Sequence, residues 1–205
     1  MSEAPRPSPV TLAAYGAVAI ILAVELVVFW RALNPSAEGD YRAYYIDKTT
    51  TCLAQPMTGA YELGRRVSFR SDGAALTREL KPCGWEGPVG DGTHSVGETS
   101  RLRFAVGTAD APLELALEMV AVDMPGPPRQ RVRVSANGIF VGEAGLTPGE
   151  PRRATFPIPV EALGGTGILD IALDFPEAIS PGPGVSNTRK RAIKLLSAQL
   201  SAVDP

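Results

Sequence analysis

The chain has 205 residues, 44% of them hydrophobic and 20% charged, with a formal net charge of −2 and a pI near 5.5. That balance, with no basic cluster, removes the counterion-release term that supplies most non-specific nucleic-acid affinity, so a nucleic-acid partner is excluded. The 21 glycines and 19 prolines are spread along the chain rather than pooled, which favours short strands joined by turns.

Residues 1–10 read as a short cytoplasmic tail and residues 11–31 as a transmembrane helix. Leu12 to Trp30, LAAYGAVAIILAVELVVFW, carries a single charge, Glu25. As a helix this run spans roughly 28 Å, enough to cross a bilayer. A cleaved signal peptide is the rival. Against it, the amino-terminal region offers only Arg6, and Pro35 occupies the −3 position of a cleavage after Ala37. Trp30 and Arg31 suit the membrane interface, ring at headgroup depth and guanidinium reaching outward. The flanking charges, Arg6 and the free amine against Arg31 and Arg42, do not decide orientation. Glu25 is either tolerated about one turn below the interface or a contact for another membrane helix.

Residues 32–50 read as a linker and 51–205 as a β-sandwich. YELGRRVSF places Tyr61, Leu63, Val67 and Phe69 on one half-buried face. RLRFAV puts Leu102, Phe104 and Val106 on one side. PLELALEMVAV alternates Leu113, Leu115, Leu117 and Met119 with Glu114, Ala116 and Glu118, and the period of two decides for strand over helix. QRVRVSANGIFVGEAGL holds Asn137-Gly138, the dipeptide of a tight type I′ hairpin. RRATFPIPV and GILDIALDF add two more strands, and RAIKLLSAQLSAV fits a helix or a strand. Seven or more strands without βα alternation give an all-β, antiparallel, jelly-roll-like sandwich behind one N-terminal transmembrane helix.

The stretch CGWEGPVGDGTHSVGETSRLRF gathers a cysteine, one of two tryptophans, the only histidine and several glycines. No G-x-S-x-G elbow accompanies His94, no CxxC pair or metal-type Cys/His spacing occurs, and phosphate-loop and dinucleotide signatures are missing. No catalytic residue, metal ligand or cofactor is therefore assigned. Glu86, Asp91 and Glu98 leave a glycan hydrolase as a third possibility. Cys52 and Cys83, the only cysteines, are spaced for one bridge, which would imply an oxidising compartment; two buried thiols are the alternative.

The pattern Gly84-Trp85-x-x-Pro88-x-x-x-Gly92-x-x-Ser95-x-Gly97, followed by SRLRF, resembles a periplasmic, galactose-binding-like β-sandwich. That family is found on bacterial membrane glycosyltransferases, polysaccharide-assembly proteins and small anchored proteins. PGPGVSNTRKRAIKLLSAQL resembles its closing segment, and the matching pieces cover roughly Thr51 to Val203. The resemblance pairs Cys52 with Cys83, puts the sandwich in the periplasm of a bacterial inner-membrane protein, and nominates Trp85, His94, Arg189 and Asn187 for ligand contact. Val89 stands where the family has Glu, His94 where it has a second Trp, and Asn187 where it has Asp, so one ring and two carboxylates are gone. With those losses, the sequence reads as a non-catalytic accessory or scaffold subunit of an integral membrane complex. The alternative is a carbohydrate-recognition module assisting envelope polysaccharide assembly by a glycosyltransferase.

Overall fold

The computed structural model describes residues 8–33, 44–45, 52–53, 55–123, 129–180 and 189–203. Much of the expected tail and linker, and Asn187 among the nominated contacts, fall outside these residues. Two compact units separate, Met1–Gly39 and Asp40–Pro205.

The described residues of the first unit form one helix, α1 (Pro9–Leu33). Ser8 caps it, its hydroxyl accepting from the Thr11 N–H at 3.2 Å, and Pro9 takes the first helical position, where the missing N–H costs nothing. Arg31 stands in the last turn, where its charge complements the helix dipole. Apolar residues occur around the whole circumference and none is buried. The helix is long and apolar enough to cross a membrane, a property that signal sequences share.

The second unit is a two-sheet sandwich. Its strands are β1 (Gly59–Ala60), β2 (Arg66–Ser68), β3 (Thr93–His94), β4 (Thr99–Ala105), β5 (Leu113–Ala121), β6 (Gln130–Ala136), β7 (Ile139–Leu146), β8 (Arg152–Ile158), β9 (Ile168–Asp174) and β10 (Ile193–Ala202), with a short helix α2 (Ala74–Thr77) after β2. One sheet runs β1-β4-β9-β6-β7 and the other β2-β10-β5-β8, with β3 also pairing to β10. All pairs are antiparallel except β1 with β4. The inward residues are those the alternation marks: Leu113, Leu115, Leu117 and Met119 from β5 face Leu169, Ile171 and Leu173 from β9, together with Leu102 and Phe104 from β4. The hairpin between β6 and β7 turns on Asn137 and Gly138, both at positive φ (45° and 85°), as a type I′ turn requires. The Asn137 side chain then locks this turn to β9, its Oδ1 accepting from Asp170 N–H at 2.9 Å.

Two segments depart from simple alternation. YELGRRVSF is not one strand. A turn at Gly64 (φ +86°) separates β1 from β2 and leaves Leu63 37% exposed, while Tyr61, Val67 and Phe69 stay buried. RAIKLLSAQLSAV is a strand with a bulge: the pairing to β5 steps from Leu195–Met119 to Ser197–Glu118, leaving Leu196 as an extra residue. Ile193, Leu195, Ala198 and Leu200 all face inward as a result, a spacing that matches neither period two nor a helix throughout.

Candidate functional site

The opening stretch is built against β4. Cys52 and Cys83 are disulfide-bonded, with Cα atoms 5.1 Å apart. The same join is reinforced by Gln55 N–H donating to Pro82 O at 3.1 Å, and by Arg103 Nη1 donating to Gln55 O at 3.1 Å. Arg101 N–H donates to Cys83 O, so the cysteine rides on the edge of β4. From Gly84 the chain forms a narrow ribbon: Trp85 bridges Ser95, and Val89 and Gly92 close its tip. The return leg is β3, which pairs with β10 at His94–Lys194 and Thr93–Leu195. Ser95 holds the base, its Oγ accepting from the N–H groups of Ala192 and Ile193 at 3.1 and 3.0 Å. The stretch is therefore a small hairpin folded over the sheet.

Trp85 is half-buried, its ring centroid 6.4 Å from that of Phe69, and its indole N–H donates to Arg101 O at 2.7 Å. Its polar atom thus secures the ribbon, while part of the ring remains available to a cleft of about 280 Å³. That cleft is walled by Tyr44, Tyr45, Pro82, Cys83, Trp85, Val96 and Arg189. The two tyrosine rings meet edge to face, centroids 4.8 Å apart. Aromatic faces beside a guanidinium and the backbone of an extended loop can stack against a flat apolar surface while satisfying hydroxyl or carboxylate oxygens.

Of the nominated residues, Trp85 and Arg189 share this cleft, and His94 does not. His94 lies on β3 among charges: its Nδ1 is 3.9 Å from Glu86 Oε2, Arg191 Nη2 donates to Glu86 Oε1 at 2.6 Å, and Lys194 pairs with Asp91. Glu98 pairs with Lys190, so the three carboxylates of the opening stretch are each committed to a neighbouring cation and none lines the cleft. Sequence reasoning placed Tyr44 and Tyr45 in the linker. Their only signal was the aromatic density of YRAYY just before the first cysteine.

Burial, then the Arg191 and Lys194 charges, hold the His94 pKa below its ordinary 6.5, only partly opposed by Glu86 and Asp91. The folded state therefore resists a proton that the unfolded chain accepts, and stability is lost as pH falls through the unfolded value of 6.5 towards the lower folded one. Because His94 is the sole histidine, the effect is separable. Urea midpoints should fall between pH 7.5 and 5.5 in the native chain and fall less in His94→Gln; equal slopes would count against a partly buried imidazole that resists protonation.

No family model matches the chain, and no curated protein sequence matches it. Solved structures similar to it include the CBM22-2 xylan-binding domain from Paenibacillus barcinonensis Xyn10C, at 14% identity and TM-score 0.43, covering 68% of this chain and 99% of that one. A carbohydrate-binding module CBM36 in complex with calcium and xylotriose follows at 13% and 0.40, covering 67% and 99%. The C-terminal domain of the sugar-binding protein EclA gives 11% and 0.37, covering 52% and 68%. At these scores the likeness is loose, and the sandwich assignment rests on the strand pairing itself.

Proposed function

We propose that the protein is a non-catalytic glycan-recognition module, held by α1 in a bacterial inner membrane with its sandwich in the periplasm. The observation that carries this reading is the cleft in which Trp85, Arg189 and the two tyrosines converge. The Cys52–Cys83 bridge supports an oxidising compartment. Arg189 is the polar contact whose removal is most informative, since charge-assisted hydrogen bonds contribute about 1.5–3 kcal/mol each. Arg189→Ala in the full chain, reconstituted in a sugar-free bilayer disc, should weaken binding to the glycans it retains on an array by about tenfold or more. An array with no retained glycan, or equal binding by the variant, would sink the proposal.

An accessory role within a membrane complex is favoured by a separate observation, the single acidic residue, Glu25, in a helix otherwise apolar around its circumference. A carboxylate there is stabilised by a polar partner on another helix. Glu25→Leu should then reduce co-purification of an integral membrane partner without reducing membrane insertion; unchanged co-purification removes this role. The two readings are compatible, one resting on the sandwich and the other on the anchor.

A further inference from the structure

A second cleft lies on the outer face of the other sheet. Strands β2 and β3 are three and two residues long and pair end to end along the same edge of β10. Where one stops and the other begins, the bulge places Leu196, which is buried (5% exposed) yet stands apart from the main core. Beside it opens a cleft of about 300 Å³ lined by Arg66, Ser68, Arg70, Asp72, Glu118, Leu196 and Ser197.

The rim groups are fixed by one another. Arg66 donates from Nε to Ser197 Oγ at 3.0 Å and pairs with Glu118, and Ser197 Oγ donates to Glu118 Oε2 at 2.9 Å. Ser68 Oγ donates to Asp72 Oδ1 at 2.7 Å. Burial pushes the Glu118 carboxyl up, but hydrogen bonds from Ser197 and Arg66 and the charges of Arg66 and Arg70 outweigh this and hold it below the usual range. Glu118 therefore stays an ionised acceptor, not the proton donor that glycoside hydrolysis would ask of it.

The two guanidinium groups and two carboxylates that line the cleft sum to no net charge. An anion entering the cleft meets Asp72 and Glu118, and a cation meets Arg66 and Arg70. A vicinal diol suits all four, because each hydroxyl donates to a carboxylate while accepting from a guanidinium. We propose that this cleft is a second recognition site, for a neutral saccharide bound through vicinal hydroxyls. It goes beyond the glycan-recognition reading and does not depend on the Trp85 cleft, since none of the rim residues is shared.

The test is amide NMR of the full chain in a sugar-free bilayer disc, titrated to millimolar concentration with neutral gluco-, xylo-, manno- and galacto-hexasaccharides and with hexagalacturonate. At least one neutral hexasaccharide should shift the amides of Ser68, Arg70 and Ser197, more strongly than the uronate does. Glu118→Gln should weaken that shift's apparent affinity by about tenfold, while Arg189→Ala leaves it unchanged. If Glu118→Gln disturbs the fold, Asp72→Asn, on an exposed residue, is read in its place. The proposal is overturned if no neutral member moves these amides, if the uronate binds more tightly, or if the well-folded variants bind like the native chain. Shifts at Gly84, Trp85 and Arg189 report the first cleft separately, so either site can fail without the other.

Discussion

Replacing Cys52 and Cys83 together by alanine should lower the stability of the sandwich by about 3–4 kcal/mol and abolish binding in the Trp85 cleft. The first half follows from chain entropy. The bridge closes a loop between residues 31 apart in sequence. A loop of that size in the unfolded chain is worth about 3.7 kcal/mol in the entropic account of disulfide stabilisation. Alanine rather than serine keeps the comparison clean, because Cys52 is only 7% exposed and a buried hydroxyl would add its own cost. The second half follows from position. Cys83 is itself a wall of the cleft, and the bridge ties it to Cys52 beside Gln55, which adds contacts to Pro82 and Arg103, so removing it loosens the wall. Urea denaturation of the native chain with and without a thiol reductant should show the same displacement as the double variant. A change below about 1 kcal/mol would mean that the bridge closes a contact already secured without it.

Much of this architecture was legible because burial writes itself into period two. In β5 and β9 the inward residues are Leu, Ile and Met, with Ala121 closing β5, and the outward positions Glu114, Asp170 and Asp174 are ones only water or a paired charge would tolerate. The Asn137-Gly138 turn was legible for a different reason, since few other dipeptides hold two consecutive positive φ angles. What stayed hidden was where regular geometry breaks. One extra residue at Leu196 shifts the phase of β10, so the two halves of RAIKLLSAQLSAV contradict each other under any single period. The same bulge makes the second cleft, so the pattern failed where a site is formed.

The first cleft was half legible. Trp85 and Arg189 were nominated through motif resemblance, but they are 104 residues apart and sequence could place them together only by analogy. Tyr44 and Tyr45 had no period and no motif, and only the fold around the disulfide brings them beside Trp85. His94 was nominated by the same resemblance, standing where the family has a second Trp, and the register of β3 on β10 turns it towards Glu86 and Lys194 instead.

Gly84→Ala should be the most damaging single-methyl change in the opening stretch. The residue sits at φ +78°, and a Cβ built there would lie 2.4 Å from Thr99 O and 2.5 Å from Ser100 Cα, both backbone atoms of β4 that cannot swing aside. Left-handed backbone costs an L-residue about 1–2 kcal/mol, and forcing the ribbon off the strand adds about 1–3 kcal/mol more. Gly87 and Gly90 are the matched controls: a Cβ at either meets nothing within 4 Å, and neither has a positive φ, so alanine there should be within about 0.5 kcal/mol of native. The same comparison separates stability from recognition. Gly84 O accepts from Val96 N–H at 2.8 Å and from Ser100 Oγ at 2.5 Å, so displacing it moves Trp85 and Val96, two walls of the cleft. Thermal midpoints and glycan binding should therefore fall together in Gly84→Ala and in neither control. A variant that melts like the native chain would show that the ribbon is not pressed onto β4. One that melts early yet binds normally would place recognition away from Trp85, because the glycine that lets the ribbon lie flat on β4 is also the one that sets where the indole faces the cleft.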